Sequence, residues 1–457
     1  MTARIDPSQL QFPESGPTRD VSEFSRGDAL RERAHRAIPG GAHTYAKGDD
    51  QFPQLAPAFI DRGAGCHIWD LDGNEYIEYA MGLRAVTLGH AHPEVVAAAS
   101  RELERGCNFN RPSPLEVECA ETFLAAIDRA EMVKFTKDGS SADTAAVKLA
   151  RAYTGRDLVA ICADHPFFSY DDWAFGVTTM SAGIPPAALA MTLTFRYNDI
   201  ASVQSLFDRH PKQIACLMLE AERNEPPRDG FLQKLQELCR ANGTLLVLDE
   251  MITGFRVHNR GAQHVHDLHP DLSTFGKAIA NGFALSALAG RREIMDLGGI
   301  RGPHERVFLL STTHGAETVA LAAARATMKI YEREPVVEHL YRQGERLRSG
   351  LEQAAAAAGV SKHFFTSGRA CALLYATLGP DGKPSQPFRT LFLQETIRRG
   401  ILAPSFMPTY SHSDADIDYT IDAVAAALKV YRQALDHGNT DPYLVGASVK
   451  PVYRKFN

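Results

Sequence analysis

"ACLMLEAERNEPPRDGFLQKLQELCRANGTLLVLDE" spans residues 215–250, and its pattern decides the fold. Two runs, "ACLMLE" (215–220) and "TLLVLDE" (244–250), are apolar almost throughout, so each reads as a strand buried on both faces. Between them Phe231, Leu232, Leu235, Leu238 and Cys239 recur at helical spacing and share one face, which makes the connection an amphipathic helix. Strand, helix and strand in that order are the unit of a mostly parallel sheet with helices on both sides. The alternation continues toward the N-terminus, with a helix over residues 93–105, a strand at "MVKF" (132–135), a helix over 141–153 closed by Gly155, and a strand at "LVAIC" (158–162). Sheets of this α/β class place their chemistry at the carboxyl ends of the strands.

Both flanks read differently. In "CHIWDLDGNEYIEY" (66–79) two apolar runs surround Asp72-Gly73, a hairpin signature that opens a small β-containing lobe. The first thirty or so residues are Pro-rich and polar and read as an arm. An Ala-rich helix after Thr318 leads out of the large domain, and the remainder alternates helices such as 335–359 with strand-like runs such as "ACALLYA" (370–376), a second small α+β segment. The expected division is an arm and small-lobe segment over 1–85, a large domain over 86–330, and a C-terminal small domain over 331–457.

With 44% hydrophobic and 23% charged residues and a formal net charge of −6, the 457-residue chain is not a general binder of nucleic acid or anionic membranes. No stretch approaches the roughly 20 continuous apolar residues of a membrane span, and the N-terminus lacks an apolar signal core, so the expected compartment is the cytoplasm. Seven cysteines without a C-x-x-C pair read as reduced core thiols, and no metal is expected.

Three features carry chemistry. The strand "TLLVLDE" delivers Asp249 and Glu250 to its carboxyl end, and alternation sends one acid toward a site while the other caps the next turn or pairs elsewhere. Gly139-Ser140-Ser141 stands after a strand at a helix start, where backbone amides and hydroxyls can seat a phosphate, although either serine also reads as an ordinary N-cap. Finally, "STFGKAIANGF" (273–283) holds Lys277, the one charged residue between Leu272 and Gly290, 28 residues after Asp249. Neither a G-x-x-x-x-G-K-[ST] loop nor a G-x-G-x-x-G turn after a strand occurs. Pyridoxal phosphate needs this set: a helix N-terminus for its phosphate, a carboxylate for its ring nitrogen and a lysine amine for its aldehyde.

The chain resembles the class III (fold-type I) pyridoxal-phosphate aminotransferases, and most of all their glutamate-1-semialdehyde 2,1-aminomutase-like branch. The motifs run in order from "PGGAHTY" (39–45) through "IWDLDGNEYIEYAMGL", "LGHAHPEV", "FTKDGSSADTAAVKLAR", "TFRYNDIASV", "LLVLDEMITGFR", "TFGKAIANGF" and "STTHGAETVALAAA" to "LAPSFMP" (402–408). The resemblance implies a seven-stranded-type, mostly parallel sheet between helices, with a small α+β lobe built from both termini. It implies Lys277 as Schiff-base lysine and proton shuttle, Asp249 as partner of the ring nitrogen, and Gly139, Ser140 and Ser141 as the phosphate seat. It further implies that Met251 packs on one ring face, that Glu220 lies near the cofactor, and that Thr312 reaches the phosphate of a neighbouring subunit in a homodimer.

Departures from the family pattern bear on the substrate. "DHPFFSYDDW" replaces the usual aromatic-His-Gly motif, and aligning Trp173 with the aromatic that follows puts Phe167 over the ring with Phe168 in place of the histidine, leaving open which of the two stacks. Lys47 stands where the aminomutase branch has a carboxylate-gripping arginine, and a lysine offers no bidentate fork. His43, Tyr45 and Arg84 are the other substrate-side residues, with His90 a further cationic candidate. The expected reaction moves an amino group, from L-glutamate by family habit, to a polar, anionic keto acceptor such as a keto sugar or carbocyclic keto acid. A 3-dehydroshikimate-type acceptor giving an aminobenzoate is one concrete case. The alternatives are an intramolecular aminomutase and a non-catalytic pyridoxal-phosphate-binding protein.

Overall fold

A computed structural model describes residue 21 and residues 23–165, 167–222 and 224–456. The expected N-terminal arm lies mostly outside the described residues, and its last part falls in a helix over Ser25–Ala37. The chain divides into two compact units. Of the described residues, one takes those within 84–87 and 92–337 together with 455 and 456, and the other takes those up to Leu83, Leu88–Ala91 and Glu338–Arg454.

The large unit is built on a seven-stranded sheet whose strands lie in the spatial order Met132–Thr136, Ser286–Gly290, Leu272–Phe275, Leu245–Asp249, Ile214–Glu220, Leu158–Cys162 and Thr192–Phe195. Ser286–Gly290 runs antiparallel to both neighbours, and the other neighbouring pairs are parallel. Ile214–Glu220 and Leu245–Asp249 are buried at every position, as expected of strands covered on both faces. One side of the sheet packs on Ala145, Ala146, Val147, Leu149 and Ala150 of helix Gly139–Thr154, and the other packs on Phe231, Leu232, Leu235 and Cys239 of helix Phe231–Asn242. The register pairs Glu220 with Asp249 and Asp249 with Thr274, so three polar side chains meet at one level of the sheet's carboxyl edge.

Helix Gly139–Thr154 begins two residues earlier than the sequence suggested. Asp138, rather than a serine, is its N-cap, accepting from the Ser141 amide at 2.8 Å, and Gly155 ends it in the left-handed conformation at φ 65°.

The small unit joins Ile60–Ala64, His67–Asp70, Glu75–Glu78 and Ile401–Leu402 in one sheet. Its central hairpin turns at Asp72-Gly73, where Gly73 takes φ 90°. "ACALLYA" is split into a 3-10 turn, Ala370–Ala372, and a strand, Leu374–Thr377, paired with Phe364–Ser367. Tyr79, Leu347, Leu391, Phe392, Phe406 and Tyr431 centre the unit's core. Among the described residues no helix is long and apolar enough to cross a membrane.

Candidate active site

The two acids at the end of strand Leu245–Asp249 part as alternation requires. Glu250 turns away and accepts from the amides of Ala262 at 2.9 Å and Gln263 at 2.7 Å and from the Thr253 hydroxyl. Gly261 makes this possible, because at φ +81° a Cβ would fall 2.7 Å from the Glu250 carboxyl carbon. Asp249 turns the other way and accepts the Met251 amide at 2.7 Å. Burial, then the nearby Glu220 carboxyl, push its pKa up to about 7, while Lys277 and the Met251 amide oppose the rise.

Lys277 follows strand Leu272–Phe275 and takes a left-handed φ of 46°. The preceding residue has to be glycine. A Cβ on Gly276 would lie 2.6 Å from both Met251 Sδ and Ser286 Oγ, and one on Gly139 would lie 3.0 Å from the same sulfur. Met251 therefore wedges between the start of helix Gly139–Thr154 and the lysine segment. Withdrawal from water lowers the proton affinity of the Lys277 amine, with the Arg84 cation adding to the effect, while Asp249, Glu220 and Asp143 pull against it. These five residues form one electrostatic cluster of three acids and two bases.

Arg84 ends an unusual backbone run. Met81, Gly82, Leu83 and Arg84 all have positive φ, at 46°, 57°, 59° and 74°. For residues other than glycine this costs about 1–2 kcal/mol each. The surrounding chain holds the turn: Arg256, fully buried, donates from Nη2 to the Arg84 carbonyl at 3.5 Å, and Thr87 donates its amide to Asn281 Oδ1 at 3.0 Å.

At the helix start, Ser141 spends both its amide and its hydroxyl on Asp138, and the buried Ser140 hydroxyl accepts from the Tyr170 amide at 3.3 Å. The amides of Gly139 and Ser140 have no acceptor among the described residues. Phe168 is buried in the core beside His165, whereas Phe167 is 43% exposed and meets Phe175 edge-on at 5.7 Å. Thr312 lies in an exposed segment, its carbonyl accepting from the Gly315 amide at 3.3 Å.

The remaining substrate-side residues belong to the small unit. His43 and Lys47 are exposed and line a cavity of about 470 Å³, walled by apolar groups such as Ile38, Phe52, Phe59 and Leu402. Two other basic residues on its walls have partners, Arg31 in Asp49 at 2.9 Å and His90 in Glu78 at 2.6 Å. The Lys47 ammonium has no ion-pair partner among the described residues. Tyr45 is 65% exposed and does not line the cavity.

Sequence reasoning missed Asp143. It lies on the buried face of helix Gly139–Thr154, at helical spacing from Ala146, Val147 and Ala150, and an acid among alanines on a core-facing stripe was the available signal.

The large unit thus offers free amides to an anionic group, a weakly basic lysine to a carbonyl, and an excess of buried acid to a cationic ring nitrogen. Pyridoxal phosphate presents all three. The sequence profile of the family described as "Aminotransferase class-III" matches residues 45–428. A glutamate-1-semialdehyde 2,1-aminomutase of Roseiflexus castenholzii (strain DSM 13941 / HLO8) is 35% identical over 443 residues, covering 90% of this chain and 99% of the relative. One from Bordetella avium (strain 197N) is 33% identical over 435 residues, covering 90% and 100%. Among solved structures, the PLP internal aldimine form of the Sphingopyxis sp. MTA144 FumI protein superposes with a TM-score of 0.82 at 28% identity, covering 92% of this chain and 99% of that one. The chain belongs to the class-III aminotransferase family and is a pyridoxal-phosphate-dependent enzyme.

Proposed function

We propose that the enzyme moves an amino group from an amino-acid donor, L-glutamate, to a polar, anionic carbonyl acceptor, with Lys277 and Asp249 as its catalytic residues. The observation that carries this reading is the lysine itself, withdrawn from water and weakly basic among Asp249, Glu220, Asp143 and Arg84. An amine that is neutral part of the time can take a proton from the donor carbon and return one to the acceptor carbon. Asp249 would hold positive charge on the ring nitrogen, with Glu220 adding negative potential from the adjacent strand. Gly139, Ser140 and, once its hydroxyl leaves Asp138, Ser141 would hold the phosphate, while Met251 and the exposed Phe167 would flank the ring. When bound, the cofactor supplies an electron sink for the carbon that loses its proton. Thr312 completes the site of a neighbouring subunit, so the working form is a homodimer.

For the acceptor, the supporting feature is Lys47, a cation without an ion-pair partner among the described residues on a cavity wall whose Arg31 and His90 are partnered, with His43 beside it, Tyr45 near in sequence and Arg84 near Lys277. An ammonium paired with a substrate anion contributes about 1.5–3 kcal/mol. Lys47→Ala is expected to raise acceptor KM by roughly tenfold or more, leaving the donor half-reaction little changed in single-turnover kinetics. Equal effects on both halves contradict the assignment. A second reading, an intramolecular aminomutase, is favoured by the names of the two curated relatives. It would release no 2-oxo acid from the donor.

A further inference from the structure

Asp143 has been given no role of its own, yet it stands among the residues that have one. Its carboxyl is fully buried. Oδ1 accepts the Thr274 hydroxyl at 2.6 Å, whereas Oδ2 has no hydrogen-bond partner among the described residues. Thr274 is the register partner of Asp249 on the adjacent strand, so Asp143 and Asp249 approach the sheet at the same level. Glu220, on the next strand, is also buried, and the facing cations are Lys277 and Arg84. A buried polar atom with no partner in a native core calls for an explanation.

Two carboxylates in one dry site do not both ionise, and the better-solvated one keeps the charge. Asp249 accepts a backbone amide at 2.7 Å and is the acid that acts most strongly on the Lys277 amine, while Asp143 accepts one neutral hydroxyl. We propose that Asp143 is a positioning residue that carries the cluster's extra proton on Oδ2, and so leaves the negative charge on Asp249, where the ring nitrogen needs it. Electrostatics agree: burial first, and then the Asp249 charge, push the Asp143 carboxyl well above the usual carboxylate range, against the opposing Thr274 hydroxyl and Lys277 amine. A hydroxyl on Oδ2 still meets no acceptor among the described residues, but a neutral acid is far cheaper to bury than a second charge. The inference deepens the assignment of Asp249, but it concerns a proton rather than a substrate.

Infrared difference spectroscopy on the full-length holoenzyme tests it at pH 7. Wild type minus Asp143→Asn is expected to show the carbonyl stretch of one protonated carboxylic acid. In Thr274→Val the same band is expected to shift in frequency without vanishing, because its carbonyl loses a hydrogen-bond donor, and this keeps the test open should the Asn variant fail to fold. A band that survives in Asp143→Asn and disappears in Asp249→Asn places the proton on the wrong acid and overturns the proposal. Absence of any band assignable to Asp143 overturns it as well. Either result leaves the donor and acceptor assignments to stand or fall separately.

Discussion

At the scale of single residues, the account rests on how water and charge divide the acids around Lys277. Asp249, pushed up to about 7 before any ligand neutralises it, is mostly protonated below that pH and charged above it. The Lys277 amine, weakened by burial, moves toward its neutral form over rising pH. Both effects act in one direction. The Asp249 contribution to the cofactor-free protein's affinity for pyridoxal phosphate is expected to rise by up to about tenfold per pH unit below 7 and to level off above it. Fluorescence titration from acid to mildly alkaline pH measures it, and Asp249→Asn should flatten the acid limb; a flat profile in wild type contradicts the role given to Asp249. Lys277 and Asp249 were legible in the sequence, because a lone charge in a small, apolar stretch and an acid ending a buried strand both stand out. Asp143 was not, because a single acid on a helix is ordinarily read as solvent-facing. The capping residue was also hidden: Asp138, Ser140 and Ser141 are all good N-caps, and only geometry chose Asp138.

At the scale of elements, the four runs read as strands at 132–135, 158–162, 215–220 and 244–250 were placed to within about a residue, whereas Thr192–Phe195, Leu272–Phe275 and Ser286–Gly290 went unread and the run at 370–376 proved to be a turn followed by a strand. The left-handed turn over Met81–Arg84 was not legible either, because methionine, leucine and arginine give no sign of it and the conformation is imposed by what the chain is tied to. In the small unit, strand His67–Asp70 is tied to helix Asp414–His437 through a histidine. His67 Nε2 lies 3.1 Å from Asp416 Oδ1 and Nδ1 lies 2.7 Å from Glu75 Oε1. Asp416 also closes the helix's capping box with Ser413. Hydrogen bonding to Asp416, with both carboxylates' charge, raises the His67 pKa against the opposing effect of burial. The stabilisation is therefore fully present below the unfolded value of about 6.5 and is lost as pH rises through the higher folded one. His67→Gln should lower Tm more at pH 6 than at pH 9 in calorimetric scans. A penalty independent of pH would mean that His67 packs there as a neutral ring.

At the scale of the whole molecule, the order of segments was legible: the strand–helix alternation of the large unit, and a small unit assembled from both ends of the chain. Each unit closes its own core, and it was the family resemblance rather than the hydrophobic pattern that joined the two ends of the chain in one lobe. What patterning does not convey is the acceptor, because the cavity beside Lys47 is shaped by loops whose side chains meet only in the folded small unit. The exposed Thr312 segment, with Phe308 also largely exposed, agrees with a second subunit completing the site, and a fully active monomer in sedimentation would contradict that assembly. The measurement that tests the central claim most directly is a visible absorption titration of the purified, cofactor-loaded protein with L-glutamate, with 2-oxoglutarate assayed in the same sample. The account predicts that the cofactor's band bleaches with one equivalent of 2-oxoglutarate per site in wild type and that neither change occurs in Lys277→Ala. A band that glutamate leaves untouched, or one that bleaches equally without Lys277, would contradict it.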